Sequence, residues 1–187
     1  MLEVFEAHDI RYFFYIGGND SAETTFILNQ MAVERSYDVR LFHVPKTIDN
    51  DLCVTDHCPG YGSAARFVAS ALMGDNEDNR SLGGIKIDVI MGRHAGWIAA
   101  AGGMASIDSD IPIIILFPEI AFHRARFIKA VRQKVKQYGY CSIVVSEGVR
   151  AANGKFLSDQ ESRDAFGHAQ LGGAAPVIAT LIKKGRT

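Results

Sequence analysis

The chain has 187 residues, 48% of them hydrophobic, enough to bury one sizeable core or most of a shared one. Lysine and arginine number 20 against 21 acidic residues, with no basic block, so the electrostatic footprint of a nucleic-acid binder is missing and any anionic ligand must be held locally. No apolar run reaches the roughly 18 to 20 residues that span a bilayer, and the opening MLEVFEAHDI is acidic where a signal peptide is basic, which predicts a cytoplasmic protein with no membrane or nucleic-acid partner.

In chain order, strand-length runs of β-branched and aromatic residues occur at 11–16, 39–44, 85–91, 112–117 and 140–146. Helix-length segments alternate with them, at 22–35, 63–75, 96–107, 122–138 and 174–184. Helical spacing of apolar residues is clearest in the second segment, with Phe67, Ala71 and Leu72 expected on the buried face, and in the fourth, with Phe127, Val131 and Val135. The alternation predicts an α/β fold, three-layered, with a mainly parallel sheet and helices on both faces. Residues 150–173 are polar and aperiodic and read as a long loop with at most a short hairpin at Asn153-Gly154. Cys53, Cys58 and Cys141 are too few and too unevenly placed for a disulfide framework, and Cys53, His57 and Cys58 lack the second ligand pair of a zinc site.

In such sheets ligands collect beyond the carboxyl ends of the strands. The first of these exits, Gly17-Gly18-Asn19-Asp20-Ser21, has two glycines that admit a phosphate closely and a following helix that aims free N–H groups at it. An N-cap at Asn19, Asp20 or Ser21 explains the same residues without a ligand. At the second exit, Pro45 ends the strand and leaves Lys46, Thr47, Asp49 and Asp51 on a loop. A carboxylate beside a hydroxyl can act as a general base, and an ammonium can offset charge on a transferring phosphoryl group. A solvated loop with an Asn-Asp turn is the competing account.

The third exit offers Gly92 for close approach and the Arg93 guanidinium for bidentate phosphate recognition, with His94 read as a helix-start or packing residue and Trp97 as core. The fourth, PEIAFHR, is plain. The fifth, Ser146-Glu147-Gly148, carries a carboxylate that either accepts from sugar hydroxyls or sits in solvent.

Together these segments resemble the phosphofructokinase family, and more closely its pyrophosphate-dependent branch. The words that carry the resemblance are GGNDS, PKTIDND, PGYGSAARF, MGRHAGWIAAA, SEG and FGHAQLGG, in the family's order from Gly17 to Gly173. The resemblance implies reversible phosphoryl transfer from pyrophosphate to the 1-hydroxyl of fructose 6-phosphate with Mg2+, by a protein that is a homo-oligomer in full-length form. By position it implies Asp49 as general base, with Lys46 and Asp51 as its catalytic neighbours. It puts Thr47, Ile48, Asp49, Met91, Gly92, Arg93, Glu147 and His168 on the sugar phosphate, Gly17, Gly18, Asp20, Ser21 and Lys46 on the donor, and Asn19 on the metal.

ATP-dependent members have glycine at the Lys46 and Asp20 positions, so the resemblance implies that Asp20 repels a nucleotide α-phosphate while Lys46 serves pyrophosphate. Asn19 stands where many relatives have a magnesium-ligating aspartate. Family chains also carry an N-terminal strand with a glycine-rich loop and a C-terminal sugar-site segment, neither of which is recognised here. The chain therefore reads as one partial region, with a donor side at about 1–60 and a sugar-phosphate side at about 61–187. Two further readings stay open: an ATP-dependent 6-phosphofructokinase, opposed by Lys46 and Asp20, and a non-catalytic fragment or regulatory subunit that only binds sugar phosphate.

Overall fold

The computed structural model describes residues 1–107, 110–163, 169–171 and 173–185. Helix α1 (Leu2–Ala7) leads into β1 (Tyr12–Gly17), α2 (Asn19–Glu34) and β2 (Arg40–Pro45). Next come α3 (Tyr61–Leu82), β3 (Gly84–Ile90), α4 (Trp97–Ala101), a 3-10 turn at Gly102–Ser106, β4 (Ile113–Leu116), α5 (Arg124–Tyr138) and β5 (Tyr140–Ser146). The chain closes with β6 (Asp159–Arg163), β7 (Ala169–Leu171) and α6 (Ala174–Lys184).

Strands β1 and β2 pair in parallel, Tyr12 beside Arg40 and Gly17 beside Pro45, so both strands end at the same edge. A second parallel sheet has the order β3-β5-β4, with Ile90 beside Ser146. As its central strand, β5 is buried at every position, which is why YCSIVVS shows no alternating charged face. Period-2 alternation splits its side chains between two layers. Ile143 and Val145 pack with Phe127, Val131 and Ile178 of α5 and α6, while Val144 packs with Val68, Leu72 and Ile98 of α3 and α4. The expected α/β layering with helices on both faces is present.

A third cluster joins Leu2, Phe5, Ala32 and Val39, with Phe13 and Leu41 of the first sheet against it. The opposite face of that sheet carries Tyr12, Phe14, Ile16, Phe42 and Val44, all exposed, with the Phe14 and Phe42 rings stacked at 4.8 Å.

Several expectations need correction. Phe67 is 72% exposed and Ala71 is also exposed; the buried stripe of α3 runs through Val68, Leu72, Asn76 and Asn79. Half of that stripe is polar, and Asn79 Nδ2 donates to the Cys141 carbonyl (3.2 Å) and to Ser142 Oγ (3.0 Å), so the helix continues to Leu82 and stops at Gly83 with φ 74°. Residues 96–107 do not form one α-helix. A Cβ on Gly102 would lie 2.8 Å from Leu72 Cδ1, and this close approach to α3 accompanies the tightening into the 3-10 turn. Trp97 is 53% exposed and not core. The hairpin at Asn153-Gly154 exists, closed by a bridge between Arg150 and Phe156. The antiparallel pair β6-β7 was not expected, because DQESR and AQL show no apolar alternation. The three cysteines are free thiols, and burial pushes the Cys141 thiol up to about 11.

Candidate active site

The β1 and β2 exits are tied together by the backbone. Lys46 N donates to the Gly17 carbonyl (3.0 Å), and His43 Nε2 lies 3.2 Å from the same oxygen. Gly17 has to be glycine, since a Cβ there would lie 2.0 Å from Ser21 Oγ. The N-cap of α2 is Gly18, whose carbonyl accepts the first helical bonds from Ser21 N and Ala22 N, so Asn19, Asp20 and Ser21 lie inside the helix and the expected side-chain cap is not formed. Those three residues form the first helical turn, where an acidic side chain such as Asp20 is favoured by the dipole. Asn19 and Asp20 are exposed.

In the β2 exit loop, Thr47 Oγ1 accepts from Asp49 N at 3.1 Å, folding Thr47, Ile48 and Asp49 into a local turn. Ile48 packs on the Val68–Leu72–Ile98 cluster and meets the Cα side of Gly60, where a Cβ would come within 3.0 Å. Asn50 pins the loop. It is buried, takes φ 57°, accepts from Cys58 N at 2.8 Å and donates to the Asp56 carbonyl at 3.3 Å. Thr47, Asp49 and Asp51 are left half-buried and Lys46 exposed.

The β3 and β5 exits interlock because the two strands are neighbours. Ser146 Oγ donates to the Gly92 carbonyl, and Gly92 N lies 3.5 Å from Glu147 Oε1. Gly92 has φ 133°, and a Cβ on Gly148 would lie 1.9 Å from the Arg93 carbonyl oxygen, so both glycines are required by geometry. The fourth exit is not plain: Glu119 Oε1 accepts from Gly96 N at 2.7 Å and fixes the start of α4. Met91 is exposed, Arg93 and Glu147 are half-buried, and His94 Nδ1 accepts from Arg150 Nη2 at 3.1 Å. His168 lies outside the described residues.

The loops converge on Asp49. Burial, foremost, holds its carboxyl above the ordinary carboxylate range; Asp51 and Glu147 push it the same way, and His94 and Arg93 draw it back. Two strand exits of one sheet and one of the other thus act on a single carboxylate. Asp51 Oδ1 is buried without a hydrogen-bond partner, which leaves an acceptor for a cation or a donor from a ligand. Asn50, Glu119 and Arg150 escaped the sequence reading as organisers of the site; an asparagine flanked by two aspartates at a turn was the only local signal among them.

A family model described as phosphofructokinase matches residues 1–184. A protein of Methylococcus capsulatus named pyrophosphate--fructose 6-phosphate 1-phosphotransferase is 51% identical over 98% of this chain, and one of that name from Halomonas elongata is 49% identical over 98%. The chain spans about 45% of the length of each of these relatives. A crystal structure titled pyrophosphate-dependent phosphofructokinase, from Nitrosospira multiformis, superposes with a TM-score of 0.75 at 45% identity, over 98% of this chain and 44% of that one. The glycine-bounded exits and the carboxylate loop lie within the matched stretch, and the chain belongs to the phosphofructokinase family.

Proposed function

We propose that the protein transfers a phosphoryl group from pyrophosphate to the 1-hydroxyl of fructose 6-phosphate, reversibly, and that this chain supplies the general base and much of both substrate sites. The observation that carries the reading is the environment of Asp49, a carboxylate raised by burial and flanked by the half-buried Arg93 and Glu147. A base must hold its proton neither too tightly nor too weakly, and a raised carboxyl meets that need better than an exposed one. The names of the relatives favour pyrophosphate over ATP as donor.

In this mechanism Asp49 accepts the proton of the 1-hydroxyl as its oxygen attacks phosphorus, and inorganic phosphate departs. Lys46 and Arg93 offset the charge on the phosphoryl oxygens, Glu147 accepts from sugar hydroxyls, and Thr47 holds the Asp49 turn. Arg93, Met91, Gly92 and Ile48 border the sugar phosphate, a role the family resemblance extends to His168; Gly17, Gly18 and Ser21 border the donor, with Asp20 excluding a longer nucleotide chain. The family implies Mg2+, and the residues fit it: Asp51 has an orphaned buried oxygen and Asn19 an exposed amide. Among the described residues no group of three histidine, cysteine or acidic side chains is placed to hold a metal ion. When bound, the ion would neutralise pyrophosphate oxygens.

The donor side corresponds to about 1–60 and the sugar side to about 61–187, in a full-length protein that is a homo-oligomer of the cytoplasm. No helix among the described residues is long and apolar enough to cross a membrane. The test is formation of fructose 1,6-bisphosphate by the full-length protein with pyrophosphate or with ATP. Product with pyrophosphate supports the reading. Product with ATP alone replaces it by the ATP-dependent one, and sugar-phosphate binding without product leaves a binding subunit.

A further inference from the structure

The hairpin at residues 150–156 has no part in the reaction set out above, yet it reaches into the site. Arg150 is held by three contacts: its guanidinium lies 4.2 Å over the Phe156 ring, Nη1 donates to the Gly154 carbonyl at 3.3 Å, and Nη2 donates to His94 Nδ1 at 3.1 Å. Arg150 and Phe156 are bridge partners in one hairpin, so the stacking surface and the guanidinium are fixed together. The hairpin orients the fork, and the fork orients the histidine.

A guanidinium has donors and no acceptor. The His94 nitrogen facing it must therefore offer a lone pair, which puts the ring proton on Nε2, at the other side of the imidazole. The backbone under His94 is equally constrained, since Gly92 and Gly148 clamp the residue before it. His94 and Arg93 both lie near the Asp49 carboxyl.

We propose that His94 is a further substrate-contacting residue, its Nε2–H donating to a phosphoryl oxygen beside Asp49, and that Arg150 is a positioning residue which sets the tautomer and orientation of that imidazole. The substrate half rests on the phosphotransferase reading; the Arg150–His94 half rests on the hydrogen bond alone. A donor fixed in this way needs no reordering when charge grows on the phosphoryl oxygens, so it acts in the transition state more than in substrate binding.

The experiment uses the full-length protein with four substitutions: His94→Leu, His94→Gln, Arg150→Met, and His94→Leu with Arg150→Met. His94→Leu should lower kcat with pyrophosphate by roughly ten- to a hundredfold, the scale of one hydrogen bond to a charged group, with little change in the KM for fructose 6-phosphate. Glutamine, whose amide N–H reaches the Nε2 position, should restore most of the rate. Arg150→Met should cost less, and nothing further in the His94→Leu background. Loss within about twofold for His94→Leu, or losses that multiply in the double variant, would overturn the proposal.

Imidazole 15N shifts of His94 provide a reading independent of turnover. The Nε2–H tautomer is expected in the unsubstituted protein, with mixing of tautomers on Arg150→Met; an Nδ1–H tautomer in the unsubstituted protein overturns the positioning role. Absence of product from the unsubstituted protein overturns the phosphotransferase reading and the substrate half with it, while the nitrogen shifts still decide the Arg150 half.

Discussion

Ser146, the last residue of the central strand, donates its hydroxyl hydrogen to the carbonyl of Gly92, two residues beyond the end of the neighbouring strand. The contact crosses between the two exits that carry Glu147 and Arg93, and it is buried. Their separation is therefore set by the sheet register and locked by one hydroxyl.

Ser146→Ala should leave the Gly92 carbonyl unsatisfied and cost about 1–3 kcal/mol of stability. Gly148→Ala should do more damage to function, because the added Cβ would lie 1.9 Å from the Arg93 carbonyl oxygen and must push that residue away. Urea unfolding gives the first value. A KM for fructose 6-phosphate that rises at least severalfold in Gly148→Ala, with pyrophosphate KM unchanged, checks the second.

Asp49→Asn should lower kcat by on the order of a hundredfold or more, the usual contribution of a general base, while leaving sugar-phosphate binding within a few-fold. The same substitution should stabilise the fold at neutral pH. With its folded-state pKa raised above the unfolded value, ionised Asp49 opposes folding, so the wild type loses stability as pH rises from the ordinary carboxylate range through the raised value. The stability gain of Asp49→Asn should therefore be present at neutral pH and vanish at pH below the unfolded pKa. Turnover should fall on the acid side, where Asp49 is protonated. Thermal melts at two pH values and a pH–rate profile decide both signs.

Asn50→Ala should unpin the loop by removing the acceptor for Cys58 N and placing a Cβ-bearing residue without side-chain support at φ 57°. The expected cost is about 2–4 kcal/mol, from an unpaired buried donor and a left-handed conformation. Asn50→Gly keeps the backbone accessible and should cost less. Equal losses in the two variants would mean that the left-handed backbone contributes nothing measurable.

Asp20→Gly in the full-length protein should open the donor site to ATP while pyrophosphate still reacts through Lys46. Adding Lys46→Gly should then depress the pyrophosphate rate by on the order of a hundredfold, the effect of one preorganised charge. An ATP rate that stays undetectable in both Asp20→Gly variants removes the gatekeeping role.

The central strand was legible because burial on both faces writes itself as a run, Tyr140 to Ser146, and the other four strand positions followed from β-branched and aromatic residues. The exit loops were legible because proline and glycine mark them. Side chains that organise the site through contacts distant in sequence left no pattern: Glu119 reaches Gly96 across 23 residues, and Arg150 reaches His94 across 56. The register of α3 was misread because Asn76 and Asn79 sit in its buried stripe, and a count of apolar residues shifts toward Phe67 when such asparagines are ignored. Helix α1 is six residues long, too short for periodicity to show, and is held by Leu2 and Phe5 in the core.

The bare aromatic face of the first sheet has a consequence for motion. A parallel sheet normally has both faces covered, and a two-stranded one has little stability of its own. Here Phe14 and Phe42 stack on each other in the open, while the other face leans on α1 and α2. The GGNDS and PKTIDND loops hang from this thinner layer, whereas Arg93 and Glu147 hang from the fully buried one. In this chain, amide hydrogens of β1 and β2 should exchange with solvent orders of magnitude faster than those of β5. On the proposed donor site, pyrophosphate would bridge the two exits and should slow that exchange across the first sheet, so that donor binding is read as backbone protection far from the phosphate.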